Sequence, residues 1–323
     1  MNFTFHQLRI FLKVVEHQSV TKAAEELHLT QPGVSIQLKK FQSQFEIPLT
    51  EILSRRLIVT DFGHKIAESA KSILKGADKI EEISMAYQGL LAGGLNISIV
   101  STGIYVMPFF LSDFLRKHPQ VKLQMDVTNK VKVVQSVVNN EVDFSLVSIL
   151  PEELSTGSLS LMPNELYLVG NIDETLNAKK NPLRILEKIP LIFREQGSGT
   201  RLTMERFFSE HDLQVKTYLE LTSNEAVKQA VIAGLGYSIL PLIGIREELM
   251  SGTLQIIPVR HFPIRSTWQL IWPEKKLKSP AAEAFLNYVE TEKQSIISSR
   301  FNWYADFAVQ HSSRFDASKP KTV

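Results

Sequence analysis

Cysteine is absent from all 323 residues. That one absence excludes disulfides, thiolate metal sites and a thiol-based redox sensor. Excess charge is nearly absent too: 36 Lys and Arg against 34 Asp and Glu leave a net charge of +2. The chain is no polycation, so any nucleic-acid binding has to come from a local patch. No apolar run approaches the roughly 18–20 residues needed to span a bilayer, so no membrane partner is expected. The opening stretch MNFTFHQLRIFLKVVEHQ mixes charges into its apolar positions and lacks a small-residue cleavage site, which argues against a signal peptide. The eight histidines show no metal-ligand spacing. Gly197-Ser198-Gly199-Thr200 is only loosely like a phosphate cradle and lacks a P-loop lysine, so an enzyme is not expected. What remains is a soluble cytoplasmic protein of globular composition, 44% hydrophobic and 22% charged. Its length suits two or three domains.

What is present begins with three short helices. Phe5, Leu8, Phe11, Leu12 and Val15 fall at helical spacing and predict one apolar stripe. Ser19 or Thr21 can cap a second helix, whose Ala23 and Ala24 let a third helix cross closely. Thr30 is placed to cap that third helix, which opens Gln31-Pro32-Gly33 with proline in its first turn. Val34, Leu38 and Phe41 then face inward, and Gln31, Ser35 and Lys39 lie on the opposite face. This is helix-turn-helix geometry with polar, non-acidic groups outward, suited to base edges and phosphates. Charge alone does not argue for it, because residues 1–60 hold seven Lys and Arg against five Asp and Glu.

The stretch SVTKAAEELHLTQPGVSIQLKKFQSQF resembles the DNA-binding segment of LysR-type transcriptional regulators. A serine before a Thr-x-Ala-Ala block, then Leu-x-x-Thr-Gln-Pro-x-Val-Ser, makes a long match. The family's Leu-Phe-x-Arg run is replaced here by Leu49-Thr50-Glu51-Ile52, and its leucine-glutamate pair by Phe41-Gln42. A wing persists as Ser54-Arg55-Arg56-Leu57-Ile58-Val59-Thr60. The DNA contacts so implied are Thr30, Gln31, Pro32, Ser35, Gln37, Lys39, Arg55 and Arg56.

Thr60 can cap a helix running to about Leu91, ended by Ala92-Gly93-Gly94. Ile66, Ala70, Ile73, Ala77, Ile80, Ser84, Tyr87 and Leu91 alternate by four and three as a heptad seam, which suits a dimerisation helix, the ordinary alternative being a helix packed only on its own chain. In the resembled family this helix pairs two subunits, which implies an interrupted palindromic DNA site.

After Gly94 strand and helix signals alternate, which predicts a mostly parallel sheet with covering helices. Strands are expected at 95–100, 121–127, 144–147, 166–169, 191–193, 218–221, 237–240 and 268–272. Helices are expected at 104–117, 131–139, 200–211, 224–233 and 280–291. The fold class expected is therefore an N-terminal all-α winged helix-turn-helix with a long linker helix, then an α/β two-lobed sensor resembling periplasmic binding proteins. The boundaries read as 1–60 for the head and 61–92 for the linker and dimerisation helix. The sensor follows at 93–293, with lobe I at 93–163 and 269–293 and lobe II at 164–268. A C-terminal extension occupies 294–323. Its Phe301, Trp303, Tyr304, Phe307 and Phe315 fit either a docked terminal helix or a partly disordered tail.

Candidate effector residues sit where strands hand over to helices, because ligands of parallel sheets bind beyond the carboxyl ends of strands, at helix N-termini. These are Ser101, Thr102, Ser148, Ser198, Thr200, Arg201 and Asn224. Hydroxyls, glycine N–H groups and an arginine suit a small anion. Each has an ordinary alternative: the Ser, Thr and Asn as helix caps, and Arg201 as an i,i+4 partner of Glu205. Ser-Thr-Gly, Glu-Gln-Gly-Ser-Gly-Thr-Arg and Leu-Thr-Ser-Asn-Glu-Ala-Val look like segments of the LysR-type subgroup controlling carbon-fixation and sulfur-assimilation genes. That resemblance implies a small anionic metabolite as effector, no other cofactor, a homodimer or homotetramer, and RNA polymerase as a further partner. A solute-binding protein would share the lobes, but the DNA-binding head does not belong on one. A regulator that uses no effector stays open.

Overall fold

The computed structural model describes residues 2–53, 56–87, 90–151, 154–173, 183–304 and 306–307. It divides into two compact units, Met1–Gly93 and Gly94–Val323.

In the first unit α1 (Phe5–His17), α2 (Val20–Glu26) and α3 (Gln31–Gln42) each start at a side-chain cap. Thr4 forms a capping box with Gln7, Ser19 accepts from the Lys22 N–H, and Thr30 accepts from the Gly33 N–H. Each cap satisfies N–H groups that the helix itself leaves orphaned. The buried face of α1 is wider than the predicted stripe: Leu8, Ile10, Phe11 and Val14 are buried, whereas Phe5 is 55% exposed. The reason is tertiary, since α1 packs against α2, α3 and α4 together. Strands β1 (Thr50–Leu53) and β2 (Arg56–Val59) pair antiparallel, Thr50 opposite Val59, as the wing.

Helix α4 (Asp61–Tyr87) is capped by Thr60, whose Oγ1 accepts from the Gly63 N–H at 2.9 Å and donates to the Pro48 carbonyl at 2.7 Å. The predicted seam divides in two. Ala70 is buried and Ile66 packs on the core of its own unit, but Ile73 is 41% and Ile80 71% exposed. The start of the seam is thus spent within the unit, while Ile73 and Ile80 face solvent. None of the described helices is long and apolar enough to cross a membrane.

The second unit has two α/β lobes threaded by two long strands. Lobe I holds β3 (Gly93–Val100), α5 (Met107–Lys117), β4 (Val121–Thr128), α6 (Lys130–Val138) and β5 (Phe144–Val147). Then β6 (Thr156–Asn171) carries the chain across. Lobe II holds β7 (Leu191–Arg194), α7 (Gly199–Glu210), β8 (Thr217–Leu221), α8 (Asn224–Ile232), β9 (Ser238–Pro241), α9 (Arg246–Ser251) and β10 (Leu254–Ile256). Next β11 (Ile264–Pro273) returns, and α10 (Pro280–Arg300) closes on lobe I.

The main sheet runs β10-β6-β11-β5-β3-β4, with β9 also on β6. Strands β3 and β5 are parallel, as are β7 and β8, but β6 pairs antiparallel with β9, β10 and β11, and β11 with β5. The main sheet is thus not mostly parallel as the alternation predicts, because the two long connecting strands run antiparallel to each other through it. What the sequence signals as a short strand near Leu166 is the second half of a 16-residue strand. Strand β11 runs along the first half and into the second, where β9 and β10 join, so the local pattern does not reveal that β6 is continuous. The last helix runs to Arg300, past the predicted end at 291, because Phe285, Val289 and Ile296 keep its apolar face buried. Lobe I centres on Phe110, Phe114, Phe144 and Phe285, and lobe II on Leu168, Phe193, Met204, Phe207 and Ile239.

Candidate functional site

On the first unit the outward face of α3 carries Gln31, Pro32, Ser35 and Lys39, all exposed, with Thr30 exposed at its cap and Arg56 exposed on β2. Arg55 lies outside the described residues. Gln37 is turned the other way: its Oε1 accepts from Gln7 Nε2 at 3.1 Å, which ties α3 to α1. Sequence reasoning passed over Ile36, which is 54% exposed on the same helix. Apolar groups in that position can meet thymine methyls, but a lone aliphatic residue gives no such signal in the sequence. If Lys39 and Arg56 each neutralise one phosphate, Lys39→Ala and Arg56→Ala should each cut the slope of log Kd against log salt by about 0.9. Binding titrations across a salt series check this, and an unchanged slope would remove the residue from the phosphate contacts.

Near α1, the ligand atoms of Glu16, His17 and Glu26 lie within 4.8 Å of one another. Glu26 is paired there with Lys13 at 2.5 Å and with His17, so the group reads as an ion-pair cluster.

The second unit brings several predicted residues together from opposite lobes. Ser101 begins a short 3-10 turn after β3, with Thr102 buried beside it. Ser223 caps α8 by accepting from the Ala226 N–H, which places Asn224 in the first turn. Between them lies Arg194, at the end of β7 and only 3% exposed. Its Nη1 donates to Ser101 Oγ at 3.2 Å and to Asn224 Oδ1. Its Nε and Nη2 fork onto Glu195 at 2.7 and 2.9 Å, and Nη2 also reaches the Thr222 carbonyl at 3.5 Å. All five guanidinium donors are thereby used. Asn224 Nδ2 donates to the same Ser101 Oγ at 3.2 Å.

Ser101 Oγ therefore accepts from two lobe II donors. With both lone pairs engaged, its hydrogen is left to donate.

A second group forms at the start of α7. Gly197 adopts φ +85°, a left-handed conformation that suits glycine and turns the chain from β7 into the helix. Ser198 stands at the N-cap but makes no side-chain cap hydrogen bond, unlike Ser223, Ser279 and Asn129 at theirs. Ser198 and Thr200 are buried. Across from them a Cβ on Gly199 would stand 3.8 Å from Ser148 Oγ and 4.0 Å from Lys130 Cβ, both of lobe I. An N-terminus with no side-chain cap, faced by a hydroxyl and a lysine stem, suits an anion. An interlobe groove of about 520 Å³ opens here, lined by Lys130, Val131, Val134, Leu150, Ser198 and Leu202 among others.

Arg201 also lines the groove, but its fork is engaged. Nε meets Glu205 at 2.7 Å, Nη1 meets the Arg194 carbonyl at 3.0 Å and Glu220, and the group lies over the Phe193 ring. Although burial opposes its charge, Glu205 and Glu220 hold its pKa above the ordinary guanidinium value. The i,i+4 alternative is thus the pairing observed, and Arg201 meets the Ser101–Asn224 cluster only through the Arg194 carbonyl.

Arg194 was missed by sequence reasoning. Its signal was available: Leu191-Ile192-Phe193-Arg194-Glu195 ends a buried strand in two charges, at the carboxyl end where ligand groups gather.

Comparison with known proteins places both units. The description "Bacterial regulatory helix-turn-helix protein, lysR family" matches residues 5–64. "LysR substrate binding domain" matches residues 88–294. The chain is similar to the HTH-type transcriptional activator CmpR of Synechocystis sp. (strain ATCC 27184 / PCC 6803 / Kazusa), 34% identical over 296 residues, covering 91% of this chain and 97% of the relative. A RuBisCO operon transcriptional regulator of Allochromatium vinosum is 36% identical over 293 residues, covering 90% and 97%. Among solved structures, the regulatory domain of CcmR from Synechocystis PCC6803, in complex with 2-PG, is 33% identical with a TM-score of 0.59. That match covers 62% of this chain and 97% of the domain. With a helix-turn-helix head, a two-lobed α/β unit and relatives of this identity along nearly its whole length, the chain belongs to the LysR family of bacterial transcription regulators.

Proposed function

We propose that this regulator binds a small anionic metabolite as co-inducer between the two lobes, with Ser101, Thr102, Ser148, Ser198, Thr200 and Asn224 as its contacts. Arg194 is the buried support of that site and Arg201 its flank. The observation that carries the reading is Ser101. Its two acceptor positions are filled from lobe II, so it can only offer a donor, and an oxyanion is the partner that donors select. The start of α7 adds further donors and a partial positive charge. A carbon-fixation type of relative and the 2-PG carried by the CcmR domain favour a phosphorylated organic acid, with 2-phosphoglycolate as the first compound to try.

In this reading Thr30, Gln31, Pro32, Ser35, Lys39 and Arg56 meet an interrupted palindromic DNA site in the cytoplasm, on a homodimer or homotetramer paired through α4. Effector binding shifts the population of lobe arrangements, and so the spacing of the heads on DNA.

The test is thermal unfolding of the full chain with 2-phosphoglycolate, other small phosphates and sulfur oxyanions. At a hundredfold excess over Kd, binding adds about 2.7 kcal/mol. For a unit of this size that raises Tm by roughly 5–10 °C. Thr200→Val is expected to abolish most of the rise, because its isosteric methyl cannot donate. A rise that survives Thr200→Val and Ser101→Ala would move the effector elsewhere, and no rise with any anion would overturn the anionic reading.

A further inference from the structure

The aromatic tail has a place in the fold. Just past α10, Phe301, Trp303 and Tyr304 come within four residues, and they dock on different lobes. Phe301 is buried, its ring 5.2 Å from Phe109 and 6.4 Å from Phe110, both on α5 of lobe I. Trp303 lies against the Arg246 guanidinium at 4.8 Å, on α9 of lobe II. Tyr304 is buried, and its hydroxyl oxygen accepts from the backbone N–H of Glu165 at 2.6 Å, on the lobe II half of β6. Glu165 in turn accepts from Tyr167 Oη at 2.9 Å and from Arg265 Nε at 3.0 Å, where β6 and β11 cross.

Close to that crossing the shared ladder is irregular. The β6–β11 register shifts between Thr267 and Gln269, and a bulge there disrupts the ladder and bends the strand. Two polar atoms beside it, Asn164 Oδ1 and Trp268 Nε1, are buried with no hydrogen-bond partner among the described residues. Glu165, next in the chain to Asn164, is where the tail takes hold.

We infer that residues 301–304 clamp the hinge between the lobes, with Phe301 anchored on lobe I and Trp303 and Tyr304 on lobe II. A change in lobe angle has to stretch this short segment or break one of its contacts. Phe301 and Tyr304 are then positioning residues: they set the balance between lobe arrangements without touching an effector, and through that balance they set its affinity. Only the statement about affinity rests on the effector reading above. The statement about lobe motion stands by itself.

The absence of cysteine makes the test direct. Spin labels on Val138→Cys in α6 and Met250→Cys in α9, both exposed, report the distance between lobes. Labelled full-length chain is diluted into unlabelled chain, so that each signal comes from within one subunit. Without any ligand, wild type should give one narrow distance distribution. Tyr304→Phe keeps the ring and loses the acceptor, and a single hydrogen bond of ordinary net strength should shift the balance about fivefold toward a second distance. Phe301→Ala should broaden the distribution further, and Phe301→Leu, which keeps the apolar anchor, should restore it. Coincident distributions in all four chains would overturn the clamp, as would equal broadening in Phe301→Leu and Phe301→Ala.

Calorimetry with 2-phosphoglycolate then reads the consequence, an approximately fivefold change of Kd in Tyr304→Phe. Altered distances with an unaltered Kd would overturn the clamp's role in affinity. If wild type fails to bind 2-phosphoglycolate, the effector assignment falls, and the distance measurement still decides the clamp.

Discussion

Arg194→Met should lower the unfolding free energy of the second unit by about 3–5 kcal/mol, because it leaves Glu195 half enclosed with no counter-charge. In melting temperature that is roughly a 10 °C loss. The side chain is 3% exposed and all five of its donors are used, so solvent cannot replace what the substitution removes. Function should fall more steeply than stability. Ser101 and Asn224 belong to different lobes and are held in register by the same guanidinium nitrogen. Without it, Ser101 regains a free acceptor position and no longer presents a donor of fixed direction. Calorimetric unfolding checks the first statement, and effector titration at a temperature where the variant stays folded checks the second. Arg194→Met combined with Glu195→Leu should recover part of the stability, since a buried pair replaced by apolar groups of similar size is often neutral, but none of the effector response. Recovery of both together would mean the network is only structural.

Gly63→Ala should be the most damaging single methyl in the first unit. A Cβ there would stand 2.1 Å from the Leu49 carbonyl oxygen and 2.9 Å from Val59 Cγ1. The nearer atom is backbone, so α4 has to move away from the segment that leads into the wing. That segment also holds the helix cap, since Thr60 Oγ1 donates to Pro48 and the Thr60 N–H donates to the Leu49 carbonyl at 3.1 Å. Strain of this kind costs about 3 kcal/mol, at the upper end for an overpacked site. Loss of DNA binding should accompany it, with the second unit melting as in wild type. Gly76→Ala, on the same helix with open space around it, is the control and should be neutral or slightly stabilising. Equal melting of both variants would show that the close approach has slack.

The helix-turn-helix head, the wing and the alternation of strands and helices in the sensor were legible in the sequence, because each depends on periods and caps that lie within a few residues. Thr30 before Gln31-Pro32, Thr60 before α4 and Ser223 before α8 are local signals, and all three caps are formed. The hydroxyls at strand ends were legible for the same reason: a strand that hands over to a helix fixes where orphaned N–H groups gather.

Other features were decided only by the tertiary structure. Which face of α1 is buried depends on its three partners, so Phe5 is exposed and Ile10 is not. Ile66 and Ala70 of the α4 seam are used inside their own unit, and heptad spacing cannot distinguish an intramolecular from an intermolecular partner. Gln37 and Arg201 carry the right chemistry for ligands but find partners in Gln7, Glu205 and Glu220. Arg194 ties Ser101 to Asn224 across 93 and 30 residues of chain. Tyr304 reaches Glu165 over 139. Sequence by itself determined what each segment can form, since propensity, capping and periodicity act over one or two turns. Only the packed chain decided which donors and acceptors meet, because burial leaves each polar group to the partners that distant parts of the chain bring to it.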